Sequence, residues 1–449
     1  MKRKIYDKLL AWKAGNGESA LLIDGARRVG KSYIAEEFAK QEYKSYILID
    51  FNSAEKDVKD LFDKYLSDLD TLFVYLTSYF GVTLYERNSL IIFDEVQECP
   101  RARAAIKYLV ADGRYDYIET GSLISITSNV KDIVIPSEED HLRMYPMDFE
   151  EFLWATGNET LMEFIRTCFN KEQPLGQAMH RKVMDLFRQY VIVGGMPQAV
   201  AKWVETSDFD KVDLVKRRIL TLYRADIAKH TKTMRQRVEK IFDTIPSQLS
   251  KHEKRFKLSA LGKNARMRNN EDAFMWLEDA MMVNLCFNST DPNVGLSLNE
   301  DRSALKCYMS DTGLLISMAF DDHGKTDAEI YRKLMFDKLE VNKGMITENV
   351  VAQMLRAKGH RLFFYSNTSP NDKDERMEID FMISKQVITS RHNVSPIEVK
   401  SAAQYTLNSL NKFKKKFANR LSTPYVVHSQ DLEKKEGVTF LPIYMVGLL

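Results

Sequence analysis

The sequence predicts an α/β protein: a doubly wound parallel sheet, then a mainly helical and winged-helix-like region, then a small second α/β domain. Three observations predict this class. The glycine-bearing loop GARRVGKS lies between the apolar run ALLID and the amphipathic run YIAEEFAK. Short apolar runs then alternate with helical patterns, as a parallel sheet requires. The chain ends in short apolar runs that carry carboxylates.

The loop itself fits the pattern G-x-x-x-x-G-K-[ST], which binds phosphates through backbone N–H groups and the start of the following helix. In this pattern Lys31 reaches the β- and γ-phosphates and Ser32 binds Mg²⁺. We therefore expect ATP and Mg²⁺ as cofactors. The alternative is a chance match in an ordinary turn. The residues expected to surround the nucleotide are Gly25, Ala26, Arg27, Arg28, Val29, Gly30, Lys31, Ser32, Thr120 and Ser122.

A second motif, LIIFDE, has four apolar residues followed by two carboxylates. A strand buried on both faces has this composition, and its carboxyl end is where ligands bind in a parallel sheet. We expect Asp94 to hold Mg²⁺ and Glu95 to orient and deprotonate the attacking water. An acidic strand end without a metal role is the alternative.

Three more strands are predicted, at YILIDF, YDYIETGS and LRMYP. Thr120 or Ser122 at the end of YDYIETGS is a candidate sensor of the γ-phosphate, although a capping or turn role fits nearly as well. Four arginines are candidates to stabilise charge in the transition state, in this chain or in a neighbouring subunit of an oligomer. They are Arg27, Arg28, Arg101 and Arg103.

With these motifs the chain resembles a bacterial and archaeal family of AAA+ P-loop ATPases that carries a domain of unknown function behind the ATPase core. The resemblance rests on GARRVGKS, LIIFDEVQECP, ETGSL, YPMDFEEFLWA, YVIVGGMPQAV and CYMSDTGLL, which extend from Gly25 to Leu315. It implies ATP hydrolysis. It also implies that a winged helix and a nuclease-like domain follow the ATPase domain.

After Trp154 the sequence is predicted to be helical, with a sharp bend at Gly194, Gly195 and Pro197. The bend is either a hinge that follows the nucleotide state or a packing turn between helices. Further on, three predicted helices and short strands suit a winged helix that faces nucleic acid, DNA rather than RNA. One stretch there is strongly basic, with a solvated charged face as the alternative. Its cations are Lys251, Lys254, Arg255, Lys257, Lys263, Arg266 and Arg268.

Near the end of the chain, the strand patterns EIDFMIS and PIEVKSA follow an amphipathic helix that carries Glu348. Glu348, Asp380, Glu398 and Lys400 resemble the PD-(D/E)XK nuclease constellation. In it Asp380 and Glu398 hold Mg²⁺ and Lys400 steadies the water nucleophile. The alternative is a degenerate domain that binds nucleic acid without cutting it. A downstream helix adds a second basic stretch that suits a nucleic-acid backbone or a solvated face. Its cations are Lys412, Lys414, Lys415, Lys416 and Arg420.

Composition limits the remaining possibilities. The 65 basic and 63 acidic residues nearly cancel, so net charge identifies no partner. The cysteines lie far apart without a CxxC pair, which predicts neither a disulfide framework nor a zinc site. They are Cys99, Cys168, Cys286 and Cys307. Without a signal-peptide pattern or 18 consecutive apolar residues, we expect a cytoplasmic protein with no membrane contact.

We therefore predict four domains: 1–155 an AAA+ P-loop ATPase, 156–232 a helical lid or spacer, 233–325 a winged-helix-like domain and 326–449 a nuclease-like domain. The leading hypothesis is that ATP hydrolysis is coupled to the nucleic-acid-facing and Mg²⁺-dependent nuclease-like parts. The second hypothesis is a nucleotide-gated switch that binds a protein partner and has an inactive nuclease-like domain.

Overall fold

The computed structural model describes residues 1–121, 137–231, 233–251, 255–262, 265–293, 295–321, 324–338, 342–367, 375–384, 393–402 and 404–449. The chain forms two compact units, Met1–Tyr145 and Pro146–Leu449, here called the N-terminal and C-terminal units. The division into four domains stays a prediction. No helix in the described ranges is both long and apolar enough to cross a membrane.

The N-terminal unit is built on a parallel sheet, as the alternation of apolar and helical runs predicted. Its described strands lie in the order β2-β3-β4-β1-β5, and each neighbouring pair is parallel. Strands β1, β3 and β4 are buried along their whole length, which explains their nearly continuous apolar runs. The strands are β1 (Ala20–Gly25), β2 (Ser45–Asp50), β3 (Ser89–Asp94), β4 (Asp116–Gly121) and β5 (Glu139–Met144).

The helices of this unit begin and end at residues that favour helix boundaries. Helix α5 starts at Pro100, whose fixed φ suits the first turn, and it is followed by Gly113 in the left-handed region. Asp68 caps α4 by accepting a hydrogen bond from the Thr71 N–H. The described helices are α1 (Ile5–Ala14), α2 (Lys31–Glu42), α3 (Lys56–Lys64), α4 (Leu69–Phe80) and α5 (Pro100–Asp112).

The C-terminal unit begins with a mainly helical region, as predicted after Trp154. Helices α6 to α11 are Phe149–Ala155, Leu161–Asn170, Gln177–Val193, Pro197–Thr206, Phe209–His230 and Arg235–Leu249. Helices α12 to α16 are Glu271–Asp279, Thr312–Ala319, Ala328–Met335, Lys343–Ala357 and Asn408–Phe417. The bend at Gly194 and Gly195 separates α8 from α9.

A mixed sheet follows these helices, and the described strands lie in the order β12-β13-β11-β10-β9-β8-β6-β7. Strands β6 to β9 are Val283–Ser289, Glu300–Met309, Leu362–Asn367 and Met377–Ser384. Strands β10 to β13 are Val394–Val399, Tyr425–His428, Glu433–Lys435 and Val438–Pro442. The C-terminal segment is therefore α/β, as predicted.

The region predicted as a winged helix differs from that expectation in two ways. Strand β6 pairs with β7 and also with β8, so the hairpin continues the sheet of the C-terminal segment. Every residue of β6 is buried, which suits an interior strand better than an exposed wing. Between α11 and α12 the described residues form short 3₁₀ turns, Leu258–Ala260 and Met267–Asn269, in place of the middle helix. Gly262 and the crowded like charges disfavour a continuous helix there.

Candidate functional site

The loop after β1 has the backbone that a phosphate-binding loop requires. Arg28 and Gly30 both have positive φ, 68° and 100°. A Cβ added to Gly25 would lie 2.5 Å from the Met144 carbonyl oxygen at the end of β5, so only glycine fits there. Ala26 and Val29 are buried, whereas Arg27 and Arg28 are exposed. The predicted loop residues therefore lie together at the carboxyl edge of the sheet.

Lys31, the first residue of α2, is buried at this edge. Its Nζ donates to the carbonyl oxygens of Gly25, at 3.0 Å, and Ala26, at 3.2 Å. Burial lowers the pKa of Lys31, although the charges of Glu95, Asp94 and Asp24 oppose that shift. The groups that Lys31 contacts directly in the described part of the chain are neutral carbonyl oxygens. A phosphate in the loop would place a negative charge in direct contact with this buried ammonium.

Ser32, Asp94 and Thr120 meet where three strands end. The Ser32 Oγ donates to Asp94 Oδ1 at 2.7 Å, and the Thr120 hydroxyl donates to the same oxygen. Because β4 lies between β1 and β3, Thr120 is placed between the phosphate loop and Asp94. A hydroxyl and a carboxylate are oxygen donors of the kind that Mg²⁺ prefers, so these residues fit the ion. Ser122 lies outside the described residues.

Glu95 follows Asp94 in a left-handed backbone conformation, with φ 52°. Its N–H donates to Thr120 Oγ1 at 3.4 Å, and its carboxylate accepts from the Gln97 side chain. A non-glycine residue at positive φ is uncommon and is often found at functional sites. Thr120 thus contacts both carboxylate residues of the motif. The sequence predicted Thr120 beside the nucleotide, as one of two candidate sensors of the γ-phosphate, but not its contacts with Asp94 and Glu95.

Two of the four candidate arginines are engaged elsewhere. Arg103 is 3% exposed and lies 3.1 Å from Glu139 Oε1, while Arg101 pairs with Asp63 at 2.9 Å. Because Arg103 is buried in a structural ion pair, the structure contradicts its proposed role at the phosphate. A buried carboxyl pair, Glu119 and Glu139, explains the need for this arginine. Burial and the neighbouring Glu139 raise the pKa of Glu119.

The nuclease-like residues of the C-terminal unit lie around one face of its sheet. Asp380 is in β9 and its Oδ2 accepts from the Val399 N–H at 2.8 Å. Glu398, in β10, is paired with Lys400 just beyond the strand. Burial raises the pKa of Glu398, and the Lys400 ion pair opposes that shift. Glu348, in α15, accepts from the Tyr308 hydroxyl at 3.1 Å.

Two further charged residues at this site were missed from the sequence. Lys306 in β7 lies 2.7 Å from Glu378 Oε1 and 3.6 Å from Asp380 Oδ1. Glu378 and Asp380 are two residues apart in β9 and so share a face. A single lysine inside the apolar run ALKCYM was the signal that could have identified Lys306, because a buried lysine needs acidic partners.

The expected Mg²⁺ site at these carboxylates does not fit the observed side chains. Within the described residues, no group of three or more His, Cys, Asp or Glu side chains is arranged to hold a metal ion. Asp380 is occupied by Lys306 and the Val399 N–H. Asp380 lies beside Lys306 and Glu398 pairs with Lys400, so both carboxylates already face a cation of the chain, which does not fit their proposed role in holding Mg²⁺.

The predicted basic stretches lie only partly within the described residues. Lys254 and Lys263 fall outside them, whereas Lys251, Lys257, Arg266 and Arg268 are exposed. On and after α16, Lys416 pairs with Glu375 and Arg420 pairs with Asp291. The second stretch is therefore partly neutralised, and the first presents the more exposed cations.

Three family models match parts of the chain. Residues 17–153 match a family described as AAA domain. Residues 184–324 match a domain of unknown function, DUF8612, and residues 343–446 match another, DUF4143. No curated protein matches the chain.

Several solved structures are similar to the chain at low sequence identity. A Walker-type ATPase of Pyrococcus abyssi is 15% identical, with a TM-score of 0.41, over 71% of this chain and 95% of that one. The Aeropyrum pernix ORC2 protein in its ADP form is 14% identical, with a TM-score of 0.30, over 75% of this chain and 92% of that one. The Aeropyrum pernix ORC1 protein in complex with DNA is 9% identical, with a TM-score of 0.26 and the same coverage.

The AAA match spans the phosphate loop, Asp94, Glu95 and Thr120, whose geometry is that of a nucleotide site. Residues 17–153 therefore form an AAA-type P-loop ATPase domain.

Proposed function

We propose that this chain couples ATP hydrolysis in the N-terminal unit to a change in the C-terminal unit, which engages DNA without cutting it. The observation that carries the ATPase part is the convergence of Ser32, Asp94 and Thr120 beside the buried Lys31. Ser32 and Asp94 would hold Mg²⁺, which neutralises charge on the phosphates. Lys31 would contact the β- and γ-phosphates, and Glu95 would orient the attacking water.

The coupling part begins at Gly25, which packs closely against the carbonyl of Met144. A phosphate in the loop that shifts the Gly25 backbone would press on the end of β5. Met144 is followed by only two residues, Tyr145 and Pro146, before Met147. The ring of Pro146 fixes the φ angle of this residue, which limits the conformational freedom of the short connection. We infer that motion of β5 is passed along the chain to Met147.

Met147 is firmly attached within the C-terminal unit. Its N–H donates to the Gly195 carbonyl at 2.7 Å, and its own carbonyl accepts from the Tyr190 hydroxyl at 3.1 Å. The Gly195 N–H in turn donates to Asp311 Oδ2 at 2.5 Å. These groups are buried, where hydrogen bonds are hard to replace with water. A shift of Met147 therefore has to move its partners as well.

The same hydrogen-bond network reaches α15, the helix that carries Glu348. Gln353 in α15 donates to the Tyr190 hydroxyl at 3.0 Å and accepts from the Thr312 N–H at 2.8 Å. Asn349, one residue after Glu348, donates to the Thr312 hydroxyl at 2.9 Å. This network joins residues of the motifs YPMDFEEFLWA, YVIVGGMPQAV and CYMSDTGLL to the nuclease-like segment. It supports a path from nucleotide state to the carboxylate site.

Nucleic acid is the partner that the exposed cations favour. Lys251, Lys257, Arg266 and Arg268 lie within one short stretch and are exposed. Such a cluster suits contacts to phosphates without sequence reading. We favour binding without cleavage because the two carboxylates expected to bind a metal ion already face lysines, Asp380 facing Lys306 and Glu398 facing Lys400. The second hypothesis, a nucleotide-gated switch for a protein partner, shares the same coupling path.

One experiment separates these alternatives. ATP turnover by the full chain is measured without nucleic acid, with double-stranded DNA and with RNA, each at low and high salt. The proposal expects DNA to change turnover, and expects the effect to fall steeply as salt rises, because phosphate contacts release counterions. If neither DNA nor RNA changes the rate of ATP turnover at low salt, the proposed binding of DNA is refuted. Absence of any turnover would refute the proposal as a whole.

The non-cleaving part has its own test. Plasmid and single-stranded DNA are incubated with the wild type and with Glu398→Ala, in the presence of Mg²⁺, with and without ATP. We expect both proteins to leave the DNA intact. Cleavage by the wild type that Glu398→Ala abolishes would contradict this part and restore the leading hypothesis of an active nuclease.

A further inference from the structure

The carboxylate site of the C-terminal unit contains a cation that belongs to the chain itself. Lys306 lies opposite Cys286 in the β6–β7 hairpin, and the side chain of Lys306 is 1% exposed. Burying a lysine is costly unless acidic groups compensate its charge. The local fold therefore has to supply such partners, and it does so from β9.

Glu378 and Asp380 are those partners, at 2.7 and 3.6 Å from the Lys306 Nζ. The ammonium also lies 5.1 Å from the centre of the Phe364 ring, a favourable cation–π distance. Burial lowers the pKa of Lys306, but the charges of Glu378, Glu348 and Asp380 outweigh burial and raise the pKa overall. Lys306 therefore stays charged.

The remaining carboxylate oxygens leave little room for a second cation. Asp380 uses one oxygen toward Lys306 and the other toward the Val399 N–H. Glu398 uses Oε1 toward Lys400, and Glu348 uses Oε2 toward Tyr308. Mg²⁺ is usually held by one or two carboxylates and completes its coordination shell with water. A metal ion at this site would therefore have to displace Lys306 from Glu378 and Asp380.

We infer that the Lys306 ammonium takes the place of a divalent metal ion at this site, so that the nuclease-like sheet is held together by an internal cation. This inference deepens the proposed non-cleaving role. It concerns metal binding alone and does not depend on whether ATP turnover is coupled to DNA. An experiment can therefore refute this inference without refuting the proposed coupling, and the reverse.

The test is the binding of Mn²⁺ to the nucleotide-free full chain, followed by the paramagnetic signal of free Mn²⁺. Wild type and Asp380→Asn should bind the same amount, because Asp380 holds no metal ion. Lys306→Met removes the ammonium at similar volume and should bind about one additional Mn²⁺ per chain, since the carboxylates then need a cation. Adding Asp380→Asn to Lys306→Met should abolish that gain.

Lys216→Met is the matched control. Lys216 is also fully buried in the C-terminal unit, and its Nζ donates to the Ile192 carbonyl at 2.9 Å. This variant should gain no Mn²⁺. A wild-type Mn²⁺ site that is lost in Asp380→Asn would overturn the inference, and this comparison holds even if Lys306→Met does not fold. A folded Lys306→Met that gains no Mn²⁺ would also overturn it.

Discussion

Lys31 and Glu95 belong to one site, but their substitutions should separate binding from chemistry. Lys31→Ala removes the charge that would meet the phosphates, and we expect ATP affinity to fall by roughly 10- to 100-fold. Glu95→Gln keeps the shape and removes the base, so ATP binding should persist while turnover falls by roughly 10²- to 10⁴-fold. Calorimetry of ATP binding and a phosphate-release assay measure the two effects.

Lys40→Ala is the control for these variants. Lys40 lies on the same helix, α2, but it is exposed and pairs with Glu36 at 2.8 Å. An exposed helical pair of this kind contributes little to stability, so ATP binding and turnover should both stay at the wild-type level. Equal loss of ATP binding in Glu95→Gln and Lys31→Ala would contradict the division of roles.

Lys216 should make stability depend on pH. Burial lowers the pKa of Lys216 to about 8, although Asp213 and Asp311 oppose this shift. The unfolded chain has a usual lysine pKa of about 10.4, so it binds more protons than the folded chain between these values. The free energy of unfolding from this group should therefore rise with pH across that window, by on the order of 3 kcal/mol in total.

The comparison with Lys216→Met isolates this contribution. Other groups titrate at alkaline pH, but they are common to both proteins. Urea unfolding at pH 7.5 and 9.5 should show stability rising more steeply with pH in the wild type than in the variant. Parallel pH dependence would mean that the Lys216 pKa is not lowered on folding.

At the scale of single residues, the sequence predicted those whose role is fixed by a local motif. Lys31 and Ser32 follow β1, whereas Asp94 and Glu95 lie at the end of β3. The carboxyl ends of parallel strands meet at one edge of a sheet, so the two motifs predict one site. Lys306 escaped prediction because its partners come from a strand more than 70 positions further along the chain. Only the tertiary fold brings such groups together.

At the scale of elements, the turn between α8 and α9 is held by backbone contacts. A Cβ on Gly195 would lie 2.1 Å from the Met147 carbonyl oxygen. Gly195→Ala should therefore lower the free energy of unfolding by about 2 kcal/mol or more, because the backbone has to move. Gly447→Ala, whose Cβ would meet Met354 Cε at an ordinary 3.4 Å, should change it by less than about 0.5 kcal/mol. Chemical denaturation of both variants measures the difference, and equal effects would contradict this assignment.

These contacts also bear on the two interpretations of the bend at Gly194 and Gly195, which are a hinge that follows the nucleotide state and a packing turn between helices. The Gly195 carbonyl and N–H are both hydrogen-bonded, to Met147 and Asp311. This favours a tight packing turn. A turn held by these hydrogen bonds can still transmit motion, because a displacement of Met147 also displaces Gly195. The sequence could identify the bend but not its partners, which lie before α6 and after β7.

The strands and helices differed in how well they could be predicted. Helices separate β1, β2, β3 and β4 in the described part of the chain, and the short apolar runs of these strands between helical patterns identify them. The β6–β7 hairpin was assigned to a winged helix because its sequence neighbours are helical. Its partner β8 lies far along the chain, and local periodicity cannot predict strand pairing at that distance.

At the scale of the whole molecule, the proposed coupling requires the two compact units to communicate. Length and composition predicted several domains, but the contacts that define compact units are not visible in periodicity. The nearly balanced net charge likewise does not reveal local clusters of cations, such as the exposed Lys251, Lys257, Arg266 and Arg268. In the proposed coupling, ATP binds to the N-terminal unit and changes the C-terminal unit, which is proposed to bind DNA.

Hydrogen exchange in the full-length Glu95→Gln variant, with and without ATP and Mg²⁺, tests this coupling most directly. We predict protection of the phosphate loop together with altered exchange in α15, residues Lys343–Ala357, through Met147, Tyr190 and Gln353. Lys31→Ala under the same conditions should show neither change. Protection of the loop in Glu95→Gln with unaltered exchange in α15 would contradict the coupling between nucleotide state and the C-terminal unit.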